Sequence, residues 1–139
     1  MIPYEDGKWR FFLYDLDDTD AFSDRAAADV DSFAEGSWIG INALDDLYFG
    51  SLVKNASFRE KFRNRFMELL AGDFSYERIL PMIDEMEKTY TVPMVRSIRK
   101  YRDPEFTEED YRRNVEVVRD FFRNRGTCIE KYMMEHMGD

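Results

Sequence analysis

The stretch "WRFFLYDLDDTDAF" (residues 9–22) sets an apolar, aromatic run against two aspartates one residue apart, Asp15 and Asp17, with Thr19 two positions further on. The first part, "WRFFLY" (9–14), is short, aromatic-rich and preceded by the turn signal "EDG" (5–7), which predicts a strand. A strand running into D-x-D-x-T is the signature of a phosphatase whose first aspartate attacks phosphorus. The same layout also fits two carboxylates at a strand end that hold magnesium against a nucleotide, because magnesium favours one or two carboxylates completed by phosphate oxygens. The surroundings of residue 15 decide between them.

Those surroundings are helical. Residues 15–40 are acidic and irregular and predict a loop with a little helix. Asn42 followed by Asp45 starts a helix through about Lys54, with Leu44, Leu47, Tyr48 and Leu52 along one face. "SFRE" (57–60) has the form of a capping box, and the helix behind it carries Phe58, Phe62, Phe66, Leu69 and Leu70 on one stripe before Gly72 stops it. Ser75 opens "YERILPMIDEMEKTY", with a kink predicted at Pro81 and a second break or kink near Pro93, before "MVRSIRKY". Thr107 caps a helix in which Tyr111, Val115, Val118 and Phe122 recur at spacings of 4, 3 and 4, and Gly126 ends it. Thr127 with Glu130 forms another capping box and opens a last helix bearing Ile129, Tyr132, Met133 and Met137. The expected fold is therefore mainly α: one domain over residues 1–139, with a short N-terminal strand or hairpin followed by about five helices. The strand and acidic loop occupy 8–40 and the helical part 41–139.

Composition narrows the function. The 139 residues carry 29 acids against 20 bases, a net charge of -9, which disfavours a nucleic-acid surface, since that usually needs a basic face. The arginine clusters "FRNR" (62–65), "RSIRKYR" (96–102) and "FFRNR" (121–125) alternate with apolar residues at helical period and predict solvated helix faces. Cys128 is the only cysteine, so no internal disulfide forms, and on an apolar helix face it reads as a small hydrophobe. His136 is the only histidine, which leaves a Ser/His or Cys/His arrangement poorly supplied. "MIPYEDGKW" lacks the basic and apolar regions of a signal peptide, and no apolar run approaches the roughly 20 residues of a membrane span. No membrane partner is expected.

A haloacid-dehalogenase-like phosphatase would use Asp15 as nucleophile and Asp17 as acid/base, but it needs a parallel sheet and a later lysine and acidic pair delivered by further strands. No β-rich run follows residue 24, so the phosphatase is the alternative, and a helical interaction module without a site is the other. A calcium loop starting at Asp15 fails, since Asp20 stands where glycine is needed and Ala26 where a bidentate Glu is needed. For magnesium and a nucleotide, a strand ending at Asp15 aims that side chain into a cleft while Asp17 contacts the turn or a second ion. Kinases place an aspartate in this way, just after a strand. Asp18 and Asp20 read as solvated members of an acidic turn.

"GKWRFFLYDLDDT" (7–19) resembles the G-K-W-x-x-x-x-x-D-x-D segment of the spore-coat CotH kinase family, a group of atypical protein kinases. "NASFREKFRNRFMELL" (55–70), "FSYERILPMIDEME" (74–87) and "VVRDFFRNR" (117–125) are similar to that family's C-terminal helices. The resemblance implies the later part of a kinase-like C-lobe. In it Asp15 matches the metal-binding aspartate, Asp17 a supporting acidic position, and Trp9 an aromatic that stacks on adenine. It implies magnesium and ATP as cofactors of the full-length protein, phosphoryl transfer to hydroxyls of a protein substrate, and a missing N-terminal kinase lobe as partner. The nucleotide cover, the phosphate-binding lysine and the catalytic-loop aspartate with its asparagine are not identifiable here, so no catalytic residue is assigned. The chain alone is expected to be inactive, to bind neither cofactor tightly, and to be a fragment or a helper domain. Where the family often continues D-x-D with Phe-Gly, this chain reads "DTDAFSD" (18–24). A face near Trp9, Phe11 and Leu13, uncovered without its partner lobe, is expected to favour self-association. Family members include spore-coat and secreted proteins, and the compartment is unassigned.

Overall fold

The computed structural model describes residues 2–3, 9–10, 27–34 and 47–138. Two-residue strands β1 (Ile2–Pro3) and β2 (Trp9–Arg10) pair antiparallel, with Ile2 opposite Arg10 and Pro3 opposite Trp9. The strand expected over 9–14 meets the described residues only at Trp9–Arg10. The remainder of that strand, and the greater part of the acidic loop behind it, lie outside them.

Four helices follow among the described residues: α1 (Leu47–Leu52), α2 (Ala56–Ala71), α3 (Tyr76–Tyr101) and α4 (Glu108–Met137). The mainly α class holds, with four helices in place of about five, and the differences have local causes. Helix α2 starts two residues earlier than the "SFRE" pattern placed it. Asn55 is the cap, its side chain accepting from the Phe58 N–H at 3.2 Å, and Ser57 falls inside the first turn. Gly72 does close α2, its N–H bonded to the Leu69 carbonyl at 3.2 Å, and Ser75 precedes α3 as expected.

Neither proline ends α3, which is one helix of 26 residues with Pro81 and Pro93 inside it. Each proline removes one ladder hydrogen bond. The burial of Ile83, Thr91 and Val95 along the side of α3 that faces α4 offsets that loss. The Thr91 hydroxyl also donates back to the Glu87 carbonyl at 2.6 Å, a bond that satisfies a buried polar side chain in the turn before Pro93.

Helix α4 is longer still, 30 residues, and runs straight through Gly126 and Thr127, where one helix was expected to end and another to begin. Thr107 caps it in a full capping box with Asp110, so the expected start is correct. A glycine in a helix interior costs about 1 kcal/mol relative to alanine. Here Phe122 and Arg125 before it and Ile129 and Met133 after it are all committed to one packed face, so tertiary contacts override the stop signal.

Helices α3 and α4 form an antiparallel hairpin: Tyr76 meets Arg123 near one end while Glu87 meets Arg112 further along. Helix α2 packs on the C-terminal half of α4. The core there comprises Phe33, Val53, Ile129, Met133 and Met137, flanked by Phe49, Phe58, Phe62, Phe66, Met67, Leu70 and Tyr132. Phe62 is its hub, 4.9 Å edge-on to Phe49 and 5.7 Å from Phe66. No helix among the described residues is long and apolar enough to cross a membrane.

Candidate functional site

Of the residues singled out from the sequence, Trp9 has its backbone in β2 opposite Pro3, and only that backbone is described. Asp15 and Asp17 lie outside the described residues, as do Phe11 and Leu13. Among the described residues no group of three or more His, Cys, Asp or Glu could hold a metal ion. Asp15 and Asp17, the expected ligands, carry hard carboxylate oxygens, a donor type suited to magnesium.

The next segment that is described, residues 27–34, is fastened to the C-terminal half of α4. Arg125 donates through Nη1 to the carbonyl oxygens of Ala28 (3.1 Å) and Val30, and through Nη2 to Ser32 Oγ (2.6 Å). Tyr132 donates its hydroxyl to the Asp29 carbonyl at 2.6 Å. Near the end of α4, His136 Nε2 lies 2.8 Å from Asp31 Oδ2. The other Asp31 oxygen accepts from the backbone N–H groups of Phe33 (2.9 Å) and Ala34 (3.2 Å). That turn drives Phe33, only 5% exposed, into the core beside Met133 and Met137, with the His136 ring 6.1 Å from its own.

The positions 125, 129, 132, 133 and 136 share one face of α4, which is why a single helix supplies every anchor. Partial burial pushes the Asp31 carboxyl upward. The hydrogen bonds from His136 and from the Phe33 and Ala34 N–H groups outweigh it and hold the carboxyl below the ordinary carboxylate range. Burial pulls the Arg125 guanidinium below its ordinary value, against weaker opposing influence from Cys128, Tyr132, Asp31 and Asp29.

Beside this anchor runs an apolar groove of about 550 Å³, walled by Phe62, Phe66 and Leu69 of α2 and by Phe122 and Ile129 of α4, with Arg125 and Gly126 in its lining. Arg125 and its anchoring role were missed in the sequence, where "FFRNR" reads as a solvated face. The signal was present, because residue 125 falls on the apolar stripe with Phe122, Ile129 and Tyr132.

The other half of the hairpin is held by charge. Arg119 donates to Asp84 (2.7 Å), Glu87 (2.6 Å) and Glu116 (3.3 Å), and Arg112 bridges Glu87 (3.7 Å) and Glu108 (2.9 Å). Hydrogen bonds to Glu87 and Asp84 hold the Arg119 proton more tightly than usual. This network joins α3 to α4.

Comparison with known proteins now bears on residues 9–17. The family model described as CotH kinase protein matches residues 2–129, from β1 into α4, and the chain belongs to that family. No curated protein and no solved structure matches it.

Proposed function

We propose that this chain is a C-terminal portion of a CotH-type atypical protein kinase. The observation that carries the reading is that the family match includes "GKWRFFLYDLDDT" (7–19), the segment with Trp9, Asp15 and Asp17. In this reading Asp15 holds the magnesium ion that accompanies ATP, Asp17 supports that carboxylate or a second ion, and Trp9 stacks on the adenine. Bound magnesium supplies charge neutralisation at the β- and γ-phosphoryl oxygens. Transfer forms a bond between a protein hydroxyl oxygen and the γ-phosphorus and breaks the bond to the bridging β–γ oxygen, releasing ADP, while the hydroxyl proton passes to a base supplied by the rest of the kinase. Positioning and electrostatics supply most of such catalysis, and the chain contributes part of both.

No catalytic base is assigned to these 139 residues, and the chain by itself is inactive in this reading. Its partners are the nucleotide-binding lobe of the kinase and a protein substrate. In this reading the helical hairpin and α2 belong to the helical scaffold of a kinase-like C-lobe.

The test is reconstitution. The chain is fused to the nucleotide-binding portion of a CotH-family kinase and assayed with magnesium, radiolabelled ATP and a hydroxyl-rich protein. Label enters the protein with the fusion and not with the chain alone, and Asp15→Asn abolishes it. Hydrolysis of p-nitrophenyl phosphate by the chain alone, lost in Asp15→Asn, would transfer the assignment to a phosphatase.

A further inference from the structure

The groove between α2 and α4 combines two features that ask for the same ligand. Its walls are apolar and aromatic, and its volume of about 550 Å³ lies within the roughly 300–1,000 Å³ typical of small-molecule sites. Set into this lining is a half-buried cation. Arg125 spends three of its five N–H donors on neutral oxygens, those of Ala28, Val30 and Ser32. Its Nε–H and one Nη2–H have no acceptor among the described residues. It forms no ion pair there either: Asp31 is paired with His136, and Asp29 acts on the guanidinium only at longer range. A desolvated guanidinium without a carboxylate partner is a costly arrangement that an anion would relieve.

We propose that this groove binds a long-chain carboxylate, with the acyl chain along Phe62, Phe66 and Leu69 against Phe122 and Ile129 and the carboxylate on Arg125. An acyl chain brings no polar group into walls that could not satisfy one. An extended peptide would bring a backbone N–H and C=O at every residue. A second copy of the chain, with its own net charge of -9, would bring repulsion along with its apolar surface.

Gly126 provides the means to block the site. A Cβ built on it meets nothing within 4 Å, and it lies inside α4 with helical neighbours, so Gly126→Leu suits the helix and adds a bulky side chain at a position in the groove's lining.

The experiment is calorimetric titration of the chain with decanoate, dodecanoate and tetradecanoate, each below its aggregation concentration, and with the methyl ester of dodecanoate. Expected are saturable binding of one carboxylate per chain and affinity rising about fourfold per added methylene until the groove is full. The ester should bind at least about tenfold more weakly. Gly126→Leu keeps its helical circular dichroism and loses at least about tenfold in dodecanoate affinity, and Arg125→Met removes the preference for acid over ester. Should Arg125→Met fail to fold, the acid–ester comparison and Gly126→Leu decide by themselves. Absence of saturable binding, equal affinity for acid and ester, or undiminished binding to Gly126→Leu overturns the proposal.

Discussion

Arg119 of α4 and Glu87 of α3 meet at 2.6 Å across the hairpin, with side chains only 15% and 20% exposed. The pair sits where α3 carries two prolines, and it ties that helix to α4. Arg119→Met would leave Glu87 and Asp84 without their strongest donor. A loss of about 2 kcal/mol is expected from urea unfolding. The Arg119→Met, Glu87→Gln double mutant should be destabilised by less than the sum of the two single changes, because each single change already removes the bond the two residues share.

Gly126 is expected to be replaceable with profit to the fold. A methyl at that position meets no atom within 4 Å, and the residue is inside a continuous helix. Gly126→Ala should raise stability by about 0.5–1 kcal/mol, seen as a higher urea midpoint with an unchanged slope. A decrease would mean that the backbone at 126 departs from the helix described here.

Phe33 closes the core from a segment that has no regular structure of its own. Phe33→Ala should cost about 3–4 kcal/mol, since the ring is 5% exposed and packs with Met133, Met137 and Ile129. Hydrogen exchange should report the same event locally, with the Phe33 and Ala34 N–H groups that Asp31 holds losing protection before the middle of α3 does.

The Asp31 carboxyl sets an acid limit on that segment. Its pKa in the folded chain lies below the ordinary 3.8. A depressed carboxyl stabilises the fold at pH values above its unfolded pKa, and the contribution disappears as pH falls through the folded value. Asp31→Asn should therefore lower stability at about pH 5, and the gap to the unsubstituted chain should close as pH falls below about 4. Denaturant titrations at stepped pH check it, and a gap that widens toward acid would contradict the assignment.

Local signals in the sequence carried much of this architecture. The Phe58–Phe62–Phe66 stripe, Thr107 as a cap, Gly72 as a stop and Ser75 as a start are all decided within a turn or two of helix, and each is found in place. Gly126 misled because a helix stop is a weak local preference. The competing contacts came from Phe33 and from α2, far away in sequence. Ser57 misled because two cap candidates stood two residues apart, and Asn55 reaches the Phe58 N–H. Arg125 passed as a surface charge because its partners are 93 to 97 residues away, beyond any periodicity argument. For the kinase site, the strand-to-carboxylate pattern around Trp9 and Asp15 was legible enough to name the family that the chain belongs to. How those side chains are arranged is a tertiary property, and Asp15 and Asp17 fall outside the described residues.

The anchoring of residues 27–34 by Arg125, Tyr132 and His136 also dictates an order of assembly. The α3–α4 hairpin closes through neighbours joined by a short turn, whereas Phe33 must wait for partners roughly a hundred positions later, a closure of high entropic cost. During synthesis the early segment would emerge from the ribosome with its aromatic ring unsheltered and keep it so until α4 had been made as far as Met137. Chaperone dependence, if this protein shows any, should accordingly centre on Phe33, and a substitution that slows synthesis of α4 should lengthen that exposure.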